Sequence, residues 1–275
     1  MSHIEPFIRW AGGKRWLVPF IEELTRTLTY KNYYEPFLGG ASIFFSLNPP
    51  KHIYLSDINA ELIDTYAAIR DIPDDVIHAL QLLQNTEKDY YIIRESEPKD
   101  LAHRAARFLY LNQTSFNGLY RVNNQGKYNV PYGYRKKLSY DVERIRNASA
   151  KLQGVKLECS DFAARKYRIK TGDLVFLDPP YTVSHNQNGF IKYNQKLFSI
   201  KEQYRLSAYI DYIRKKGAYY VLTNAAHDTI FEIFDKGDRV ITLDRNSLIG
   251  GKNSKRERIS EYIFTNIPGG GQANE

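Results

Sequence analysis

Asp178-Pro179-Pro180-Tyr181 gathers a carboxylate, a backbone carbonyl on a rigid turn and an aromatic ring within four residues. The apolar run Leu174-Val175-Phe176-Leu177 before it reads as a short buried strand. Two consecutive prolines must end that strand, because neither donates to a β-ladder and each restricts the residue before it. The carboxylate is therefore expected at a strand's C-terminal end, beside a stiff, exposed turn. Asp178 and the Pro179 carbonyl offer hydrogen-bond acceptors, and Tyr181 offers a stacking face. Together they suit a flat ring that bears an amine. The competing reading of Asp178 is a turn cap.

Two further segments could hold a small molecule. Trp10-Ala11-Gly12-Gly13-Lys14 precedes an amphipathic helix expected from about Trp16 to Leu28, and glycines ahead of a helix let backbone amides approach a bound group. Tyr33-Tyr34-Glu35-Pro36-Phe37 reads as a strand that turns at Gly39-Gly40 into a helix from Ser42 to Leu47. A second strand from Ile53 ends in Asp57, about twenty residues after the glycine turn. Strand, glycine turn, helix and strand-end acid open a Rossmann-like nucleotide site, in which the acid accepts from ribose hydroxyls. On spacing alone Asp57 reads equally well as the N-cap of the helix from Asn59 to Arg70. There is no full GxGxxG, so a nicotinamide dinucleotide is not expected. Cys159 is the one cysteine and no Cys/His cluster has zinc spacing, so neither a disulfide framework nor a metal is expected.

These groups need a sheet to hold them. After Pro73 the strand–helix alternation gives way to helical patterns at about Asp74 to Leu83, Lys88 to Glu95, Leu101 to Ser115 and Tyr140 to Leu152. Asn124-Gln125-Gly126 can turn a hairpin between Leu119-Tyr120-Arg121-Val122 and Lys127-Tyr128-Asn129-Val130. From Leu101 to Ala150 there are nine Lys/Arg against two acids, in a chain of net charge +8. Nearly all the excess charge thus falls in this stretch, interleaved with Tyr, Phe and Asn, which points to nucleic acid. The α/β pattern resumes at Val155 to Phe162. It continues, past a polar stretch from Thr182 to Phe198, with a helix from Lys201 to Lys216 and a strand from Ala218 to Thr223. Strands at about Arg239 to Leu243 and Ile259 to Thr265 would close the sheet as a hairpin. Between them Arg245 to Arg258 has the composition of a phosphate-contacting loop.

The fold expected is α/β, a mostly parallel twisted sheet with helices on both faces. Residues 1–70 and 152–267 would form the catalytic domain, 71–151 a helical insert with its hairpin near 117–134, and 268–275 a tail. Neither a signal peptide nor a membrane-spanning apolar run is visible, and a cytoplasmic protein is expected.

Asp178-Pro179-Pro180-Tyr181 resembles the catalytic motif of the Dam-type DNA adenine N6 methyltransferases. Phe7-Ile8-Arg9-Trp10-Ala11-Gly12-Gly13-Lys14, Glu35-Pro36-Phe37-Leu38-Gly39-Gly40, and Phe116-Asn117-Gly118-Leu119-Tyr120-Arg121 with Tyr128-Asn129-Val130-Pro131-Tyr132-Gly133 resemble that family's other motifs, in its order. Ala41 stands where the family usually has a glycine. The resemblance implies a Rossmann-like methyltransferase fold with S-adenosylmethionine as donor and no metal. It implies a donor site lined by Trp10, Lys14, Phe37, Gly39, Asp57, Asp161 and Asp178, with Asp161 near the donor's adenine or else a cap. Asp178, Pro179 and Tyr181 would be the catalytic group, acting on an adenine flipped out of duplex DNA. Phe116, Asn117, Arg121, Asn129, Lys136, Lys137, Arg245 and Lys252 would contact DNA, with Arg121 reading a guanine and Lys136 and Lys137 meeting phosphates. The target implied is a short palindrome, GATC. A monomer in a bacterial or phage-infected cell is expected, with a companion restriction endonuclease left open. The alternatives are an RNA adenine methylase and a non-catalytic DNA-binding protein on the same scaffold.

Overall fold

The computed structural model describes residues 4–50, 52–135, 138, 140–182, 198–246 and 258–269. Seven strands form one sheet of order β3-β2-β1-β4-β5-β7-β6. The strands are β1 (Asn32–Glu35), β2 (His52–Asp57), β3 (Lys156–Cys159), β4 (Leu174–Leu177), β5 (Tyr219–Ala225), β6 (Arg239–Asn246) and β7 (Arg258–Thr265). The mostly parallel α/β sheet expected is therefore what the chain forms. The chain divides into two compact units.

One unit comprises Leu24–Phe37, Pro50–His52 and Asp161–Glu275. In it β1, β4 and β5 run parallel, with Tyr34 opposite Val175 and Leu177 opposite Leu222. Every residue of β4 is buried, the continuous apolar pattern of a central parallel strand. β7 runs antiparallel between β5 and β6, so Ala225 faces Glu261 and Leu243 also faces Glu261 from the other side. Helix Ile200–Lys215 is capped by Ser199 and buries Leu206, Ile210 and Ile213. It ends ahead of Gly217, whose φ of +68° suits a residue without a Cβ. Helix Asp228–Phe234, which the sequence pattern did not announce, is capped by His227.

The other unit comprises Met1–Glu23, Leu38–Pro49 and Ile53–Ser160. β2 and β3 pair in parallel here, with Asp57 opposite Cys159. Helices Ala60–Asp71, Pro73–Gln81, Glu87–Glu95, Leu101–Thr114 and Val142–Leu152 account for the helical patterns. Asn59, Thr86, Asp100 and Asp141 cap four of them through side-chain oxygens. The helix expected from Trp16 to Leu28 is shorter, a 3-10 turn at Arg15–Leu17 followed by Val18–Thr25.

The expected hairpin is a bridged loop rather than a two-stranded ladder. Val122 and Tyr128 form an isolated antiparallel bridge around the turn at Gly126. Two backbone bonds flank the bridge, from the Asn123 amide to the Lys127 carbonyl at 2.8 Å and from the Asn129 amide to the Arg121 carbonyl at 3.1 Å, and side chains bond other backbone groups of the loop. Asn123 Oδ1 accepts from the Gln125 and Lys127 amides, the Tyr128 hydroxyl donates to the Leu119 carbonyl, and the Tyr90 hydroxyl donates to the Val130 carbonyl.

Candidate active site

The order β2-β1-β4 reverses the direction in which the sheet grows, and open α/β sheets bind ligands outside the strand ends at such a point. Asp178 follows the last residue of β4 there, and Phe37 lies two residues beyond β1.

Asp178 is half-buried, and its Oδ1 accepts from the Thr223 hydroxyl at 2.7 Å. Thr223 is fully buried on β5. Pro179 is buried, and Tyr181 is half-buried with its hydroxyl donating to Glu261 Oε2 at 2.5 Å. Burial, then the charges of Glu261 and Asp178, hold the Tyr181 phenol well above its usual pKa, so it stays a proton donor. Behind the turn lies a chain of buried polar groups. Gln203 Nε2 donates to Thr182 Oγ1 at 2.7 Å, Asn224 Nδ2 donates to Gln203 Oε1 at 3.1 Å, and Thr182 Oγ1 donates to the Phe198 carbonyl at 2.8 Å. Such a network, with its members satisfied in a low-dielectric interior, rigidifies what it holds.

Phe37 stacks on Phe162 with centroids 5.2 Å apart and meets the edge of Phe198 at 5.6 Å. Asp161 Oδ1 accepts from the Ala163 amide at 3.0 Å, and Oδ2 pairs with Arg205, whose guanidinium covers the Phe162 ring at 4.2 Å. Asp161 is thus a turn cap and an ion-pair partner.

In the other unit, Asp57 Oδ2 accepts from the Gly39 amide and Oδ1 from the Asn59 amide, both at 3.0 Å. The N-cap of the following helix is Asn59, which takes the Leu62 amide, so Asp57 is not that cap. Burial pushes the Asp57 carboxyl up, while the amides of Gly39, Asn59 and Ile58 pull it back toward the ionised form. Gly39 has φ +46°, and a Cβ there would lie 2.7 Å from Trp10 Cδ1. The glycine is thus required by the tryptophan that packs on the turn. Trp10 is itself stacked on Tyr120, with centroids 5.5 Å apart. Lys14 is 4% exposed and its Nζ donates to the Gly12 carbonyl at 3.0 Å. Ala41 takes a left-handed φ of +55°, a conformation that a glycine adopts more readily.

The model of the D12 class N6 adenine-specific DNA methyltransferases matches residues 10–247. The chain belongs to this family. Its relatives include the Type II methyltransferase M1.LlaDCHI of Lactococcus lactis subsp. cremoris, 34% identical over 96% of each chain. The Type II methyltransferase M.MjaIII of Methanocaldococcus jannaschii is 32% identical over 96% of this chain and 99% of its own. The DNA adenine methylase of Escherichia coli (strain K12) is 29% identical over 98% of each. The protein is an adenine-specific DNA methyltransferase.

The methyltransferase presents Phe116 and Asn117 on a short turn beyond helix Leu101–Thr114. Phe116 is 52% exposed, and Asn117 takes the left-handed φ of +54° that asparagine tolerates. Arg121 is exposed, its Nε donating to Asn129 Oδ1 at 2.8 Å, so Asn129 orients the guanidinium. Arg245 lies on β6 with its side chain outside the description, and Lys136, Lys137 and Lys252 lie outside the described residues. Among the described residues no group of three or more His, Cys, Asp or Glu could hold a metal ion, and no helix is long and apolar enough to cross a membrane.

Sequence reasoning missed Thr223, Glu261, Gln203 and Asn112. Asn112 is 3% exposed and pairs its amide with both the N–H and the C=O of Arg9, at 2.9 and 2.7 Å. Thr223, Asn112 and Glu261 each interrupt or border an apolar run, as in Val221-Leu222-Thr223-Asn224 and Tyr110-Leu111-Asn112, whereas Gln203 sits among charged residues and gave no such signal. A polar residue where the pattern requires burial was the available signal.

Proposed function

We propose that the methyltransferase takes its methyl group from S-adenosylmethionine and delivers it to adenine N6 in duplex GATC, with the base turned out of the helix. The observation that carries this is Asp178 Oδ1 anchored by Thr223 at the end of β4, beside the sheet's switch point. Bound S-adenosylmethionine supplies a methyl group already activated on a sulfonium.

The residues present suit that donor. The backbone amides use only part of the Asp57 carboxylate, which has about four acceptor positions, so it keeps capacity for a ribose hydroxyl. Trp10, Lys14, Phe37 and Gly39 would complete the donor site, with Asp161 toward its adenine.

The remaining work falls to the turn. An exocyclic amine is a weak nucleophile because its lone pair is delocalised into the ring. Asp178 and the Pro179 carbonyl accept its two hydrogens and favour a nitrogen with a localised lone pair, an interaction that strengthens in the transition state. As the nitrogen–methyl bond forms and the carbon–sulfur electrons stay on sulfur, one amine hydrogen leaves as a proton toward the Asp178 carboxylate. Tyr181, protonated and held by Glu261, stacks on the base. In the target-recognition segment 71–151, Phe116 and Asn117 enter the duplex and Arg121 reads a guanine.

Transfer of tritiated methyl from S-adenosylmethionine to duplexes with and without GATC tests this reading. Wild-type protein labels the GATC duplex, and Asp178→Ala, still folded, labels nothing. Asp57→Ala weakens donor binding in calorimetry far more than DNA binding. Normal turnover by Asp178→Ala removes the assignment of the turn, and labelling of other duplexes at equal rate removes GATC.

A further inference from the structure

Glu261 is a buried carboxylate in the sheet. It is 1% exposed on β7, whose Ile263 and Phe264 are ordinary apolar core residues. An apolar side chain would fill such a position without the desolvation cost of a charge. The carboxylate instead accepts the Tyr181 hydroxyl at 2.5 Å, across 80 residues of chain.

Tyr181 stands on a double-proline turn and is half-buried. The ring torsion of a tyrosine is broad, so packing on one side alone sets its plane loosely. A charge-assisted bond anchors the far end of the ring and, because a phenol O–H prefers to lie in the ring plane, biases that plane, leaving the faces of the ring to whatever stacks there. Burial and the nearby carboxylates also keep the phenol protonated, so the bond persists at ordinary pH.

We propose that Glu261 is a positioning residue, which sets the plane of the Tyr181 ring for the target adenine by accepting its hydroxyl. This rests on the reading of Tyr181 as the stacking surface. Register supports it, since β7 lies between β5 and β6 and carries Glu261 opposite Ala225, two residues beyond Thr223. The strand that anchors Asp178 and the strand that anchors Tyr181 are thus hydrogen-bonded neighbours. Carboxylate and ring of the turn are fixed from adjacent strands of one sheet.

A double-mutant cycle on the full chain tests this. Single-turnover methyl transfer is measured for wild type, Glu261→Leu, Glu261→Gln, Tyr181→Phe and the combined variants. A second readout is the fluorescence of 2-aminopurine placed at the target adenine, with S-adenosylhomocysteine present. Glu261→Leu and Tyr181→Phe should each slow transfer about tenfold and alter the 2-aminopurine signal, with donor affinity unchanged. The double variant should be far less slow than the product of the single effects, because both remove the Tyr181–Glu261 bond. Glu261→Gln, whose amide oxygen still accepts, should recover most of the rate. Multiplicative single effects, or a normal rate for Tyr181→Phe, would overturn the proposal. If Glu261→Leu does not fold, a near-normal rate for Glu261→Gln beside a slowed Tyr181→Phe supports the proposal, and a normal rate for Tyr181→Phe overturns it. Wild-type protein that leaves 2-aminopurine stacked while transferring methyl groups would instead overturn the stacking role of Tyr181.

Discussion

Thr223→Val removes one hydroxyl and keeps the shape of a fully buried side chain, so it removes the bond to Asp178 without opening a cavity. A hydrogen bond to a charged group contributes about 1.5–3 kcal/mol. Asp178 is half-buried, so water replaces part of the lost donor and the expected loss falls to about 1–2 kcal/mol. If the bond holds the carboxylate in its reacting orientation, that loss appears in the transition state as a rate about 5- to 30-fold lower. Stability should change little, because valine replaces a buried hydroxyl by a methyl group. Single-turnover transfer of labelled methyl at saturating donor and DNA measures the first quantity, and urea denaturation the second. A folded Thr223→Val enzyme with wild-type single-turnover rate would show that the orientation of Asp178 does not depend on Thr223.

Gly39→Ala should destabilise the fold by about 2–4 kcal/mol, from left-handed strain plus overlap with Trp10, whereas Gly126→Ala, with open space around it, should lose about 1–2 kcal/mol from backbone strain alone. Equal urea midpoints for the two variants would mean that Trp10 moves aside freely. Arg121→Ala should cut discrimination at one guanine of the target by about 1–3 kcal/mol while leaving rates on the altered site near those on the native one. Unchanged selectivity on single-substituted duplexes would make the Arg121–Asn129 pair structural. At alkaline pH the fold should lose stability through its tyrosines. Burial raises Tyr33, Tyr181 and Tyr220 well above 10, and pushes Tyr30, Tyr110 and Tyr128 up to about 12. The unfolded chain therefore gives up these protons first, at about pH 10, so stability present below that pH falls as pH rises toward the folded values. A 295 nm titration should show a set of tyrosines that ionise together with loss of the far-ultraviolet circular dichroism signal, and smooth ionisation of all tyrosines before unfolding would contradict the burial.

The strand before Asp178, the glycine turn before Ala41 and the acid that ends β2 were legible because each is written in adjacent residues. An apolar run ended by two prolines has few conformations open to it, and a glycine pair between strand and helix has few purposes. The basic helical stretch was legible from composition alone. Spacing did not decide between the two readings of Asp57, and the structure did so by giving the cap to Asn59 three residues before Leu62. The hairpin was overestimated because alternation in the sequence does not reveal which backbone groups Tyr90, Tyr128 and Asn123 will occupy.

Local sequence thus determined which residues stand at the strand ends and what chemistry they carry. What holds them there was decided by the tertiary fold. Thr223 is 45 residues from Asp178, Glu261 is 80 from Tyr181, and Asn112 is 103 from Arg9. Glu261 reaches the turn because β7 enters the sheet antiparallel between β5 and β6, in the register that sets it opposite Ala225. Strand order and register are properties of the packed sheet, since a slip of one residue turns every side chain of a strand to the opposite face.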